Sequence, residues 1–312
     1  MDRILSAGKL IVPIIILLVL GALFRRKRII SIQGIADIKS IIINICLPAV
    51  IFSAFFNASY DKNTVIILIV VFSACLAAFA AGAGFKKLLK INYESMPFLV
   101  TGMEAGMLGY TLYGLLFGTQ NTGNFAVIDF GQEIFIFTFY MTMLNIKSGD
   151  ASYTFRKAAA GLLKTPPFIA IIAGLVFGVA GLGKMLNTTH AGSLIESTIT
   201  FLSAPISALI LLVIGFGIEF SRKNMKAALK AISVRLICLF ALFLAAYFIL
   251  SSFVPMSDMM KWALVLLFLL PPPFVLPIFM KKAEEQEYIS TTLSLYTLIS
   301  ISAFMIIAFI AI

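Results

Sequence analysis

The sequence predicts an all-α, polytopic membrane protein of ten transmembrane helices, arranged as two inverted five-helix repeats with helices four and nine broken. Three observations predict it: an extreme composition, the number of long apolar runs, and interruptions at corresponding places in the two halves. Hydrophobic residues make up 61% of the 312 positions and charged residues only 12%, with a mean hydropathy of +1.06. Soluble domains hold about 45–50% apolar residues, because a chain of this size needs a polar exterior. The net charge of +10 sits in short loops between apolar runs, a membrane-topology pattern and not a nucleic-acid-binding one. Cys46, Cys75 and Cys238 lie inside apolar runs without metal-ligand spacing and read as small buried hydrophobes.

A helix needs about 20 apolar residues to cross a bilayer core. Ten runs qualify, at roughly 8–24, 35–56, 64–84, 96–118, 124–146, 165–185, 194–219, 232–252, 261–280 and 288–312. The first is read as a span and not a signal peptide, since its basic cluster Arg25-Arg26-Lys27-Arg28 follows the run. Nineteen of the 24 Lys and Arg residues group with the loops after spans one, three, five, seven and nine, Lys39 and Arg235 among them at the adjoining ends of spans two and eight. The positive-inside rule then places those loops in the cytoplasm and both termini outside the cell membrane. Tyr60, Tyr247 and Trp262 fall near the expected outer boundary, where amphipathic rings are favoured.

The polar connection 147–164 separates a first repeat, 1–146, from a second, 165–312. Five spans in each half require any repeat to be inverted. Two matches support one: Pro48 with Pro205 and Gly21 with Gly178, each pair 157 positions apart. Spans four and nine are interrupted in equivalent places. Span four reads Thr101-Gly102-Met103-Glu104-Ala105-Gly106-Met107-Leu108-Gly109-Tyr110, and span nine carries Pro271-Pro272-Pro273 and Pro277. Consecutive prolines remove donors and clash with the preceding turn. Irregular backbone at membrane depth is tolerated where it is buried or lines a cavity, and paired interruptions point to a binding site. The expected substrate-binding residues are Asn44, Glu104, Gly106, Gly109, Tyr110, Pro271, Pro272 and Pro273.

Acids at membrane depth are costly and need a purpose. Glu104 lies mid-span in helix four, Asp129 and Glu133 share one face of helix five with Gln132 beside them, and no Lys, Arg or His is expected at that depth. These four residues are the candidates for a coupling proton or Na⁺, with Glu104 and Glu133 foremost; no resident metal or other cofactor is expected. Glu196 and Glu219 read as solvated, and Glu284-Glu285-Gln286-Glu287 as the cap of helix ten. Half-helix N-termini near Gly109 and Phe274 offer amide donors to an anion without any basic side chain.

The chain resembles the auxin efflux carrier family, bacterial permeases related to the plant PIN transporters. The resemblance runs over nearly the whole length. Leu47-Pro48-Ala49, Gly106-Met107-Leu108-Gly109-Tyr110 with Leu116-Phe117-Gly118, Asp129-Phe130-Gly131-Gln132-Glu133 and the proline-rich stretch before Ala283-Glu284-Glu285 carry it. It implies crossed, broken helices four and nine in a fold like that of the bile acid:sodium symporters. It also implies elevator-type alternating access, a small organic acid (a carboxylate or an auxin-like acid) as substrate, and a homodimer in the lipid bilayer. Glu104 stands near where many members carry an Asn, which puts the substrate and the coupling in question. The alternative is a Na⁺- or H⁺-coupled symporter of another small solute, with the ion at Glu104 and Glu133. An enzyme is not expected, because neither metallohydrolase nor nucleophile-elbow motifs occur, and no Walker motif indicates ATP.

Overall fold

The computed structural model describes residues 2–147, 160–161, 163–181, 189–280 and 282–311. Every regular element among them is helical. In chain order these are α1 (Asp2–Arg26), α2 (Ile32–Ile41), α3 (Leu47–Asn57), α4 (Lys62–Leu88), α5 (Met96–Val100), α6 (Tyr110–Phe117), α7 (Thr122–Phe135), α8 (Met141–Lys147), α9 (Pro166–Val179), α10 (His190–Ser203), α11 (Ile206–Gly217), α12 (Met225–Phe253), α13 (Asp258–Leu269), α14 (Leu276–Phe279) and α15 (Ala283–Ala311).

Among the described residues, seven helical stretches are long and apolar enough to cross a membrane: Gly8–Arg26, Ile32–Asn57, Lys62–Leu88, Thr119–Lys147, Gly192–Gly217, Met225–Phe253 and Ala283–Ala311. Pro166–Val179 is a shorter apolar helix. The two remaining predicted spans are the ones expected to be broken, and both are. Helix starts follow local chemistry: Ser31, Asp61, Thr189 and Ser257 each accept a first-turn amide. Large apolar side chains such as Ile69, Phe201, Ile237 and Phe248 point outward, as a lipid-facing surface requires. Three stretches widen into a single π turn, at Ile42–Cys46, Ala105–Gly109 and Ile136–Tyr140.

Glycine sets how closely the helices approach. A Cβ on Gly21 of α1 would lie 2.2 Å from the Leu212 carbonyl oxygen of α11, and one on Gly178 of α9 would lie 2.7 Å from that of Phe55 in α3. The 157 positions separating Gly21 from Gly178 also separate Phe55 from Leu212. The two contacts therefore match under the offset found in the sequence.

Ion pairs gather the odd-numbered loops at one end of the molecule, the basic end. Arg25 pairs with Glu219, Glu94 with both Lys86 at 2.7 Å and Lys147 at 2.9 Å, and Lys223 with Glu284 at 2.8 Å. Beneath them the buried Glu285 accepts hydrogen bonds from the Glu94 and Ser95 amides and from the Ser95 hydroxyl. The acidic run expected only to cap helix ten thus also caps α5, because its second carboxylate reaches across to the amides that precede that helix.

One expectation is overturned. Helix α12 begins at Met225, seven residues before the predicted span 232–252, and Arg235, grouped by sequence with the loop charges, lies inside it and is fully buried. A base does sit in the protein interior. The predicted connection 147–164 falls mostly outside the described residues.

Candidate functional site

Span four breaks after α5. Thr101 is extended and Gly102 adopts φ +68°, a left-handed conformation that strains any residue with a Cβ. A Cβ there would also lie 2.9 Å from Ile136 Cδ1 and 3.0 Å from Pro273 Cγ. The chain resumes as the π turn Ala105–Gly109 and then α6. Span nine breaks after α13, where Leu270 is extended, and the three prolines carry the chain to the short turn α14. The two breaks meet directly: the Glu104 amide donates to the Pro271 carbonyl at 2.8 Å.

Broken helices expose unpaired backbone groups of both kinds, and one buried side chain of each sign receives them. Arg235 Nη1 donates to the Leu99 and Thr101 carbonyls at 3.0 and 3.3 Å. Its Nη2 donates to the Gly102 and Leu270 carbonyls, both at 2.8 Å. The guanidinium lies 4.8 Å from the centre of the Tyr296 ring, a cation–π contact. On the donor side, Glu104 Oε1 accepts the Met107 amide at 3.2 Å and Oε2 accepts the Phe274 amide at 2.6 Å. Lys39, grouped by sequence with the first loop's charges at the end of span two, lies inside α2 and within electrostatic reach of Glu104.

The expected amide donors are therefore present, with two differences. The outer half of span four starts at Ala105, one turn before Gly109. The inner half of span nine is the four-residue α14, too short to carry a helix dipole, so its contribution is the single amide of Phe274.

Beside the breaks lies a second polar group. Gln132 Oε1 accepts the Met103 amide at 3.2 Å, and its Nε2 donates to Asp129 Oδ1 at 2.9 Å. Asp129 is fully buried, and its Oδ2 has no hydrogen-bond partner. The Glu133 carboxyl and the Tyr110 hydroxyl both face it. The Tyr110 ring packs edge-on against Phe125 at 4.9 Å. Gly109 permits this closeness, since a Cβ there would lie 2.7 Å from Phe125 Cζ and 2.8 Å from Leu270 Cδ1.

At the end opposite the basic one, a cavity of about 580 Å³ opens between α3, α6, α10 and α11. Its wall includes Ser53, Asn57, Thr200 and Ser203, together with Tyr110 and Thr111, whose buried hydroxyls have no partner. Among the described lining residues Glu196 alone is charged.

The structure thus brings together Glu104, Gly109, Tyr110, Asp129, Gln132, Glu133, Pro271 and Pro273. Pro272 lies buried in the same break. Gly106 faces Leu47 of span two. Asn44 does not join them: it is exposed in the π turn Ile42–Cys46, and its amide donates to the carbonyl and hydroxyl of Ser40 at 2.8 and 3.1 Å. Arg235 is the residue that sequence reasoning missed. The signal was its immediate setting, Val234-Arg235-Leu236-Ile237, a lone charge among apolar residues.

A protein of Methanothermobacter thermautotrophicus named an uncharacterised transporter is 19% identical to this chain over 221 residues, which cover 69% of each sequence. No protein-family profile matches the chain.

Proposed function

We propose that the chain is a secondary active transporter of ten crossings, with both termini outside, in which two inverted repeats cross at the breaks of spans four and nine. The matched glycine contacts of Gly21 and Gly178, and the collection of odd-numbered loops at the basic end, support that architecture. Transport fits the distant relative's printed name. Coupling to H⁺ or Na⁺ falls to Glu104, Asp129, Gln132 and Glu133, which supply oxygen donors in a buried setting. The solute enters from the cavity lined by Tyr110 and Thr111.

One observation carries the choice of solute: Glu104 already occupies the amides of Met107 and Phe274. These are the donors that a substrate carboxylate would use. With that place filled by the protein's own carboxylate, and Glu196 alone charged among the described cavity residues, the geometry favours a neutral or cationic polar solute driven by a coupled cation. The organic-acid reading that the auxin efflux carrier resemblance implies requires Glu104 to swing off these amides when substrate arrives. Proton uptake at Glu104 would then drive the exchange.

The test is charge movement and uptake in proteoliposomes, using panels of organic acids, organic cations and neutral polyols, with and without Na⁺ and a pH gradient. The leading reading expects a response to a neutral or cationic solute, with Glu104→Gln altering its pH or Na⁺ dependence. A response to acids alone, gained or tightened in Glu104→Gln, selects the second reading. Transport whose ion dependence is unchanged in Glu104→Gln removes Glu104 from coupling.

A further inference from the structure

The basic end holds a second cavity, of about 490 Å³, remote from the crossed helices and unused by the proposed transport path. Five lysines reach it from three parts of the chain: Lys90 from the turn after α4, Lys223, Lys226 and Lys230 from the start of α12, and Lys282 from just before α15. Both acids in its wall are engaged, one within it and one beyond it. Glu284 is paired with Lys223, and Glu285 holds the Glu94 and Ser95 amides. Of the acids flanking the wall, Glu94 is bridged to Lys86 and Lys147, and Glu287 lies within electrostatic reach of Lys223 and Tyr93. No ion pair joins Lys90, Lys226, Lys230 or Lys282 to an acid among the described residues.

Lys226 and Lys230 lie one turn apart on the same helix, an arrangement that repels unless an anion sits between them. The wall also includes the first turn of α12 at Lys226 and Ala227. That 29-residue helix starts without a side-chain cap: Asn224 Oδ1 accepts from the Tyr93 hydroxyl at 2.7 Å and not from a first-turn amide. The same contact leaves the buried Asn224 amide nitrogen without a partner. Tyr93 forms another side of the cavity and stacks on Tyr288 at 4.0 Å. Unpaired ammonium groups, free helix amides and an aromatic wall make a receptor for a compact, multiply charged anion.

We infer that this cavity binds a phosphate group, presented either by an anionic lipid headgroup or by a soluble phosphate compound. The site lies where α4, α12 and α15 come together, so its occupant ties three spans at one end.

The experiment measures thermal unfolding of the purified full chain against inorganic phosphate in detergent. A parallel arm uses nanodiscs of phosphatidylcholine with and without phosphatidylglycerol. The Lys226→Gln/Lys230→Gln variant is compared with Arg26→Gln/Lys27→Gln, which removes equal charge from the same end outside the cavity. Stabilisation by at least one anion, weakened about tenfold or more in the first variant and unchanged in the second, supports the site. Response to inorganic phosphate identifies a soluble ligand, and response to phosphatidylglycerol alone identifies a headgroup. No stabilisation by either, or equal loss in both variants, overturns it and leaves only diffuse attraction to a basic surface.

Discussion

The breaks in spans four and nine reach the same end by different chemistry. Span four breaks at a glycine and keeps every backbone donor, so each needs a partner: Met103 finds Gln132, Glu104 finds Pro271, and Met107 finds the Glu104 side chain. Span nine breaks at prolines, which have no amide to satisfy, leaving chiefly carbonyls and the amide of Phe274. A glycine break is adjustable but demands partners, whereas a proline break is rigid and demands fewer. The ionisable residue lies on the glycine side, where the surrounding backbone can respond to its charge.

That contrast is broken most severely by removing what both sides share. Arg235→Ala would strip four buried carbonyls of their donor, and leaving such groups unpaired costs about 3–5 kcal/mol or more in total. The expected result is little monodisperse protein on size-exclusion chromatography; wild-type behaviour would show that the carbonyls find other partners. On the glycine side, Gly102→Ala combines positive φ with contacts at 2.9 and 3.0 Å. A cost of about 1–3 kcal/mol is expected, read as a lowered Tm with transport lost. On the proline side, Pro272→Ala adds a buried amide that needs a partner and frees the backbone, so a cost of about 1 kcal/mol is expected, with expression largely intact and transport impaired; full activity would show that rigidity there is dispensable.

The smallest effect is expected far from both breaks, at Glu94. The ammonium groups of Lys86 and Lys147 hold its carboxyl down at about 2. A depressed folded-state value means that its stabilisation is present above the ordinary carboxylate range, near 4.5, and is lost as pH falls toward 2. The side chain is half exposed, so solvent screening keeps the effect below about 1 kcal/mol. Glu94→Gln should flatten the acid limb of the Tm–pH curve slightly, and an unchanged limb would show that the two lysines contribute nothing measurable.

Much of this was legible because it rests on local rules. Apolar run length gave the continuous spans, Pro271-Pro272-Pro273 the break in span nine, and the four-residue spacing of Asp129 and Glu133 their common face. The two glycines Gly21 and Gly178 gave an offset that recurs in the contacts they make. What was not legible depends on where a helix starts and which way a side chain turns. Arg235 is only the fourth residue of the predicted span 232–252, close enough to its end to be grouped with the loop charges, and the two further turns that α12 adds before it place it in the interior. Asn44 sits at the expected depth, but the π turn around it directs its amide back to Ser40. Glu104 was readable as a buried acid, yet only the fold reveals that it fills the anion position that sequence had left open for a substrate.

The π turn at Ile42–Cys46 has a consequence for how this chain tolerates editing. A π turn holds one residue more than the α-helical turn it replaces. Deleting a single residue there would restore regular winding and keep the residues beyond it close to their present face, whereas the same deletion in a regular α-helical turn would rotate them by about 100°. Ser53 and Asn57 would keep their place in the cavity wall after a deletion at the π turn, but a deletion at Val50 or Ile51, inside α3, would turn them away from it. A one-codon deletion at the π turn is thus expected to be tolerated better than one a turn further along the same span.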